Sequence, residues 1–407
     1  MAYEHALVVD VGSSSTKFGY SGEDVPSWVI PTAVDRSKFG KGTESVENAT
    51  FNPHKEDDEK ATEGSTGVLM HRGLVHDWDE MQKFWQVITS EIGLNTVQIE
   101  KTPVLLIDSP LATIADRTKW AEILFEGYHV PSLCIGNSAS LSIFAAGRTS
   151  GTVVDVGAGV MTCVPVFEGL ALSHACVEMD CAGMDVTNKL KRSLMEQGHK
   201  LSLQDTKVLK ERFAYVNPVA PAAPAPALKR RASAAKTAAA PTGETMTINL
   251  PDGNEVTIEK SVFGDCTETL MVNKETLYGG LSNSVYEALV LCDDSVLGEL
   301  KSNIIISGGT SMLSGFGDRL TNDLNALFSG RDIGNTSESE AAMGATDAPI
   351  RVMPSSFYKE SGYTNQRKHA AWQGGSIFAS FDTFKQLRVT RQEFEEGAES
   401  SLLAKCF

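Results

Sequence analysis

The pentapeptide VVDVG is written twice, at residues 8–12 and 153–157. The first copy continues as VVDVGSSSTKFG and the second as VVDVGAGVMTC. Each is a β-branched run that wants burial on both faces, as in a parallel sheet. Each ends in aspartate and breaks into glycine and small residues. Such a turn lets successive backbone N–H groups converge on an anion, and the carboxylate at the strand end can face a divalent cation. Either copy alone reads as a buried strand with an ordinary turn. Two copies, one per half, can grip a phosphate tail from both sides, with magnesium between Asp10 and Asp155 and Lys17 as an added point charge. A third turn of this kind, Gly308-Gly309-Thr310, follows strand 303–307 and precedes a helix.

A chain of 407 residues exceeds one ordinary core, so two domains or two duplicated halves are expected. Its 42% hydrophobic and 22% charged residues suit a globular protein. A net charge of −16 argues against nucleic acid or an anionic membrane surface as a direct partner. The seven cysteines are scattered without a C-x-x-C, which reads as reduced thiols of a cytosolic or nuclear protein. The histidines form no H-x-x-x-H pair, so no zinc site is expected. The opening MAYEHALVVDVG lacks a basic stretch before its apolar run, so no secretory signal is expected, and no run reaches membrane-spanning length.

Apolar periodicity predicts strands at 6–11, 17–20, 102–107, 152–156 and 303–307, and helices at 78–88, 117–125, 138–146, 183–195 and 203–213. Residues 246–258 alternate around Pro-Asp-Gly and predict a hairpin. The stretch 39–67, with HKEDDEKATEG at its centre, reads as an exposed acidic insertion. Residues 216–243 are dominated by proline and alanine and read as a linker or disordered loop. Within them Arg230-Arg231-Ala232-Ser233 has the form of a basic-directed kinase site, or of a plain solvated basic patch. The alternation of strands and helices predicts an α/β protein with two similar halves.

Through ALVVDVGSSSTKFGYSGEDVPSWVIP, GLVHDWDEMQKFW, TPVLLIDSPL, SLSIFAAGRTSGTVVDVGAGV, VPVFEGLALSHA, MDCAGMDVTNKL, LPDGNEVTI, NIIISGGTSM, WQGGSIFASFDTF and the final KCF, the chain resembles actin and the actin-related proteins nearly end to end. Hexokinases and heat-shock chaperone ATPases share the double phosphate-loop architecture but not this series. The resemblance implies an actin-like ATPase fold, with two similar lobes on a duplicated βββαβαβα core and four subdomains around a central nucleotide cleft. The first lobe would be 1–150, carrying the variable acidic loop at about 39–67, and the second 151–407, carrying the Pro/Ala insertion at about 216–243. The segment from about 350 to 407 would return to the first lobe. The implied ligand is ATP or ADP with Mg2+. Gly12, Ser13, Ser14, Ser15, Lys17, Gly157 and Gly159 would hold the phosphates. Gly183, Asp185, Lys210, Glu211, Gly308, Gly309, Thr310, Met312 and Lys368 would surround ribose and adenine. Asp10 and Asp155 would hold magnesium through water.

Three departures from the family pattern fall on the chemistry. The family's glutamine that positions the attacking water is replaced by Ser138, an acidic residue of the second phosphate loop by Ala158, and a nearby histidine by Thr162. Serine is shorter and offers one rotatable hydroxyl in place of an amide that donates and accepts through separate atoms, and phosphoanhydride hydrolysis rests on positioning and electrostatics. Binding with weak or absent hydrolysis is therefore expected. Asn137 could compensate for the lost glutamine only if the local backbone shifted. Other departures concern assembly. These are the acidic Glu56-Asp57-Asp58-Glu59 in the family's docking loop, a shortened 271–280, an insertion at 355–366, and the Pro/Ala segment. They favour a structural or regulatory subunit of a cytoskeletal filament or multiprotein complex over ordinary self-polymerisation. The expected partners are other actin-family subunits or cytoskeletal complex proteins, and a kinase at Ser233. Location would be cytoplasmic and cytoskeletal, with the nucleus as an alternative. The competing readings are a hydrolysis-competent polymerising actin and a subunit of a nuclear chromatin-remodelling complex. A small-molecule kinase of the same superfamily lacks a candidate base.

Overall fold

The computed structural model describes residues 5–32, 34–35, 66–67, 69–91, 96–218, 243–249, 255–330, 348–356 and 363–406. Most of the acidic stretch, nearly all of the Pro/Ala stretch with Ser233, the hairpin tip and part of 355–366 lie outside the described residues.

The strands of the two large sheets are numbered in chain order: β1 (Leu7–Val11), β2 (Ser15–Tyr20), β3 (Trp28–Pro31), β4 (Val104–Asp108), β5 (Ser132–Asn137), β6 (Gly151–Val156), β7 (Met161–Phe167), β8 (Leu170–Ala171), β9 (Val177–Met179), β10 (Ile304–Ser307), β11 (Val352–Met353) and β12 (Val389–Thr390). The first sheet runs β12-β5-β4-β1-β2-β3, and the second runs β8-β7-β6-β10-β11 with β9 also on β7. In the first sheet β1 pairs antiparallel with β2 and parallel with β4. In the second β6 pairs antiparallel with β7 and parallel with β10. The repeated pentapeptide thus occupies the same central strand of two sheets with one plan. Both copies are buried almost throughout, as their unbroken β-branched runs require.

Two clusters of buried side chains fill the halves. One centres on Trp85, Phe84, Phe125 and Leu106, the other on Phe263, Phe316, Leu190 and Ile306. Helix Ser138–Ala145 follows β5 and leads into β6, so it joins the two sheets. Helix Ala370–Phe378 lies against it, and Trp372 Nε1 donates to Val8 O of β1 at 3.0 Å. At Val352–Met353, β11 pairs parallel with β10 in the second sheet. Only beyond it does the chain cross over, and β12 adds antiparallel to β5.

Most elements sit within a few residues of their expected bounds. The helix expected at 117–125 instead begins at Ile114 and gives way to a π turn at Ile123–Gly127. Thr113 and Asp116 form a capping box there, with Asp116 N–H donating to Thr113 Oγ1 at 3.2 Å and Thr113 N–H donating to Asp116 Oδ2 at 2.9 Å. This polar start carries no apolar periodicity, which is why a periodicity reading begins one turn late. Among the described residues no helix is long and apolar enough to cross a membrane.

Candidate functional site

The ends of β1 and β6 that carry the aspartates open onto one cavity of about 550 Å³ between the two sheets. Its wall takes Gly12, Ser13, Ser14, Ser15 and Lys17 from the first half and Gly157, Ala158, Gly159 and Thr162 from the second. Asp10, Asp155, Lys210, Glu211, Gly308, Gly309, Thr310, Met312, Lys368 and Ser138 also line it, as do Lys207, His369 and Asp108. Two turns show how closely backbone is packed here. A Cβ on Gly159 would fall 2.6 Å from Ser13 Oγ, so the two aspartate turns meet across the cavity. Gly308 has φ +85°, and a Cβ there would lie 2.4 Å from Val156 O.

Gly183 and Asp185 do not reach the wall. Gly183 N–H donates to Gly157 O at 3.1 Å, and its own carbonyl accepts from Lys210 Nζ at 2.8 Å, so it braces both from behind. Asp185 accepts from Ala182 N–H at 2.8 Å as a cap of helix Gly183–Glu196, and from Arg72 Nη1 at 2.9 Å.

Asp10 and Asp155 hold equivalent positions in the two sheets but have different partners. Asp10 lies opposite Lys17 in the ladder and binds its ammonium at 2.7 Å. Asp155 lies opposite Thr162 on one side and Ser307 on the other, and Ser307 Oγ donates to it at 2.6 Å. Burial pushes the Asp155 carboxyl up, while the Ser307 hydrogen bond and the Lys17 charge hold it down. The His369 imidazole is pulled down to about 4 by burial, with Lys17 and Lys368 adding to the effect. The Asp108 carboxyl is pushed up to about 6 by burial, against the pull of Arg117 at 3.0 Å.

Asn137 is not among the residues that line the cavity. It is the N-cap of helix Ser138–Ala145, and its Oδ1 accepts from Ala139 N–H at 2.9 Å. The cap uses up the amide oxygen, and the residue that faces the cavity is Ser138.

Burial pulls the Lys210 ammonium down from 10.5 to about 8, against the opposing charge of Glu211. The folded value lies below the unfolded one, so the unfolded chain binds more protons between these limits and stability rises with pH across them. Denaturation of the wild type and of Lys210→Met between pH 7.5 and 10.5 should show the wild type gaining up to about 3 kcal/mol relative to the variant. A flat difference would mean that Lys210 is not desolvated as the fold places it.

Sequence reasoning did not single out Ser307, Lys207, His369, Asp108 or Arg72. Ser307 and Asp155 are 152 residues apart and meet only through strand register. Arg72 sits in a short hairpin with no phosphate-binding pattern of its own.

The lining has the composition that an anion with a divalent cation calls for. Its backbone turns leave room for phosphate oxygens, four lysines line the wall, and Asp10 and Asp155 supply two carboxylates. Among the described residues no group of three or more His, Cys, Asp or Glu is placed to hold a metal, so a cation here would need ligand oxygens and water to complete its shell. Such residues fit magnesium held through water.

Two sheets of one plan, each presenting an aspartate turn to a shared cavity, define a two-lobed α/β protein with an interlobe site. The family model described as Actin matches this chain twice, over residues 1–219 and 202–407, which together run its whole length. The chain belongs to the actin family.

Proposed function

We propose that this actin-family chain binds ATP or ADP with Mg2+ in the interlobe cavity, hydrolyses it weakly or not at all, and serves as a structural or regulatory subunit of a cytoskeletal filament or multiprotein complex. The observation that carries the reading is the convergence of three glycine turns, at Gly12, Gly157 and Gly308, with Asp10, Asp155 and Lys17 on one cavity. The triphosphate would lie along the backbone N–H groups of the first two turns. Gly309, Thr310, Met312, Lys210, Glu211 and Lys368 on the same wall would surround ribose and base. Bound nucleotide would contact both lobes and favour their closed arrangement.

Weak turnover is supported by Ser138, Ala158 and Thr162 on the wall and by the commitment of Asn137 to its helix cap. The proposed partners are other actin-family subunits or cytoskeletal complex proteins in the cytoplasm, with a kinase at Ser233. Calorimetric titration with Mg·ADP and Mg·ATP tests the binding, and release of inorganic phosphate from Mg·ATP tests the turnover. Saturable binding with negligible release is the expected result. Absence of binding by both nucleotides would remove the proposal.

A further inference from the structure

We propose that Arg72 locks the two lobes across the cavity and sets how long a ligand remains in it. The inference rests on the reading of this cavity as a nucleotide site, and it goes further by naming the residue that controls exit.

Strand pair Met70–His71 and Leu74–Val75 is joined by Arg72 and Gly73 alone. Their φ values are +49° and +81°, so both central residues of the hairpin are left-handed, as a type I′ turn requires. Asparagine, aspartate or glycine suits the first of these positions, and arginine is disfavoured there. The arginine is nevertheless engaged, and its hydrogen-bond partners belong to the other half of the chain. Arg72 Nη1 donates to Gly159 O at 2.8 Å and to Asp185 Oδ2 at 2.9 Å. Its Nη2 donates to Asp185 Oδ1 at 3.3 Å, and its Nε lies 3.9 Å from Asp180.

This geometry joins three parts of the site. Gly159 belongs to the second aspartate turn and lies so near Ser13 of the first that a Cβ on it would clash. With the Gly159 carbonyl turned toward Arg72, the trans peptide points the Val160 N–H the opposite way, which fixes the turn's orientation. Asp185 is itself held as a helix cap, so the guanidinium grips a rigid partner in a two-pronged, charge-assisted contact. A second contact crosses in the reverse sense, with Lys207 Nζ of the second half donating to Ser14 Oγ of the first at 2.9 Å. Both halves line the cavity, so a bound molecule leaves when they part, and parting breaks the pair of Arg72 and Asp185.

The test is the release of 1,N6-ethenoadenosine triphosphate with Mg2+, chased by excess ATP, from the full chain. The forms compared are wild type, Arg72→Asn, Arg72→Lys, Asp185→Asn and the Arg72→Asn/Asp185→Asn double variant. Asparagine suits the turn, so Arg72→Asn should keep the wild-type unfolding midpoint while releasing the probe about tenfold faster. Arg72→Lys should release it at an intermediate rate, because an ammonium cannot make the two-pronged contact. The double variant should be no faster than Arg72→Asn alone. Equal release from wild type and Arg72→Asn would overturn the proposal. If the wild type does not bind the probe, the ligand reading fails by itself, and hydrogen exchange of residues 157–160 in the ligand-free chain then decides. Faster exchange in Arg72→Asn supports the lock, and unchanged exchange overturns it.

Discussion

A chain carrying Ser138→Gln, Ala158→Asp and Thr162→His together is expected to release phosphate from Mg·ATP at least about 100-fold faster than wild type. All three positions line the cavity. Thr162 is the ladder partner of Asp155, so a side chain there emerges level with the carboxylate proposed to face magnesium. Ala158 lies between the two glycines of the second turn, and Ser138 opens the helix that joins the sheets. In the wild type these positions offer one methyl group and two short hydroxyls. None can both orient a water and take up its proton. The backbone that would grip the phosphates is untouched by the substitutions, so affinity should change little while turnover rises, which separates positioning from binding. Single-turnover phosphate release on the wild type and the triple variant measures this. A wild type that already hydrolyses as fast as the triple variant would refute the idle-site reading.

The second large effect concerns stability. Replacing Arg319 by alanine should cost about 3–5 kcal/mol, because it leaves buried carboxylates without their cation. Arg319 is 0% exposed. Its Nε donates to Asp323 at 2.9 Å, and its Nη1 donates to Glu268 at 3.0 Å and to Asn217 O at 3.1 Å. Ser282 Oγ completes the shell of Asp323 at 2.9 Å. The cluster ties helix Phe316–Phe328 to helices Ser261–Met271 and Leu281–Val290, and to Asn217 at the start of the Pro/Ala stretch. Burial already pushes the Asp323 carboxyl up, and Arg319 is the largest force holding it down. Without the arginine the folded value rises further above the unfolded one. Stability of the variant should therefore recover as the pH falls and the carboxyl is protonated. Urea denaturation of both forms at pH 5 and pH 7.5 checks this. A loss below about 1 kcal/mol would show that the cluster is hydrated and not a buried anchor.

Much of the fold was legible in the residues. The two pentapeptides, their flanking turns and the helices at 203–213 and 183–195 lie where local pattern places them. Burial of an element is written in its own periodicity, and the turns that bend backbone around an anion have their own composition. Most of the residues expected around a nucleotide do line one cavity. Gly183 and Asp185 stand behind it, because a residue near a site in sequence can brace the wall or face it, and composition does not distinguish the two. The capping box at Thr113 was readable as a short polar pattern, but the apolar periodicity beyond it masked the helix start.

What the sequence by itself determined is the duplicated plan, since a strand, a carboxylate and a glycine turn are each set by neighbours within a few residues. What only the tertiary structure decided is which groups meet across long separations. Ser307 serves Asp155 from 152 residues away, Arg72 reaches 113 residues along the chain to Asp185, and Arg319 gathers Glu268 from 51 residues away. Strand register and the packing of two lobes set those distances, and both come from the burial of the whole core.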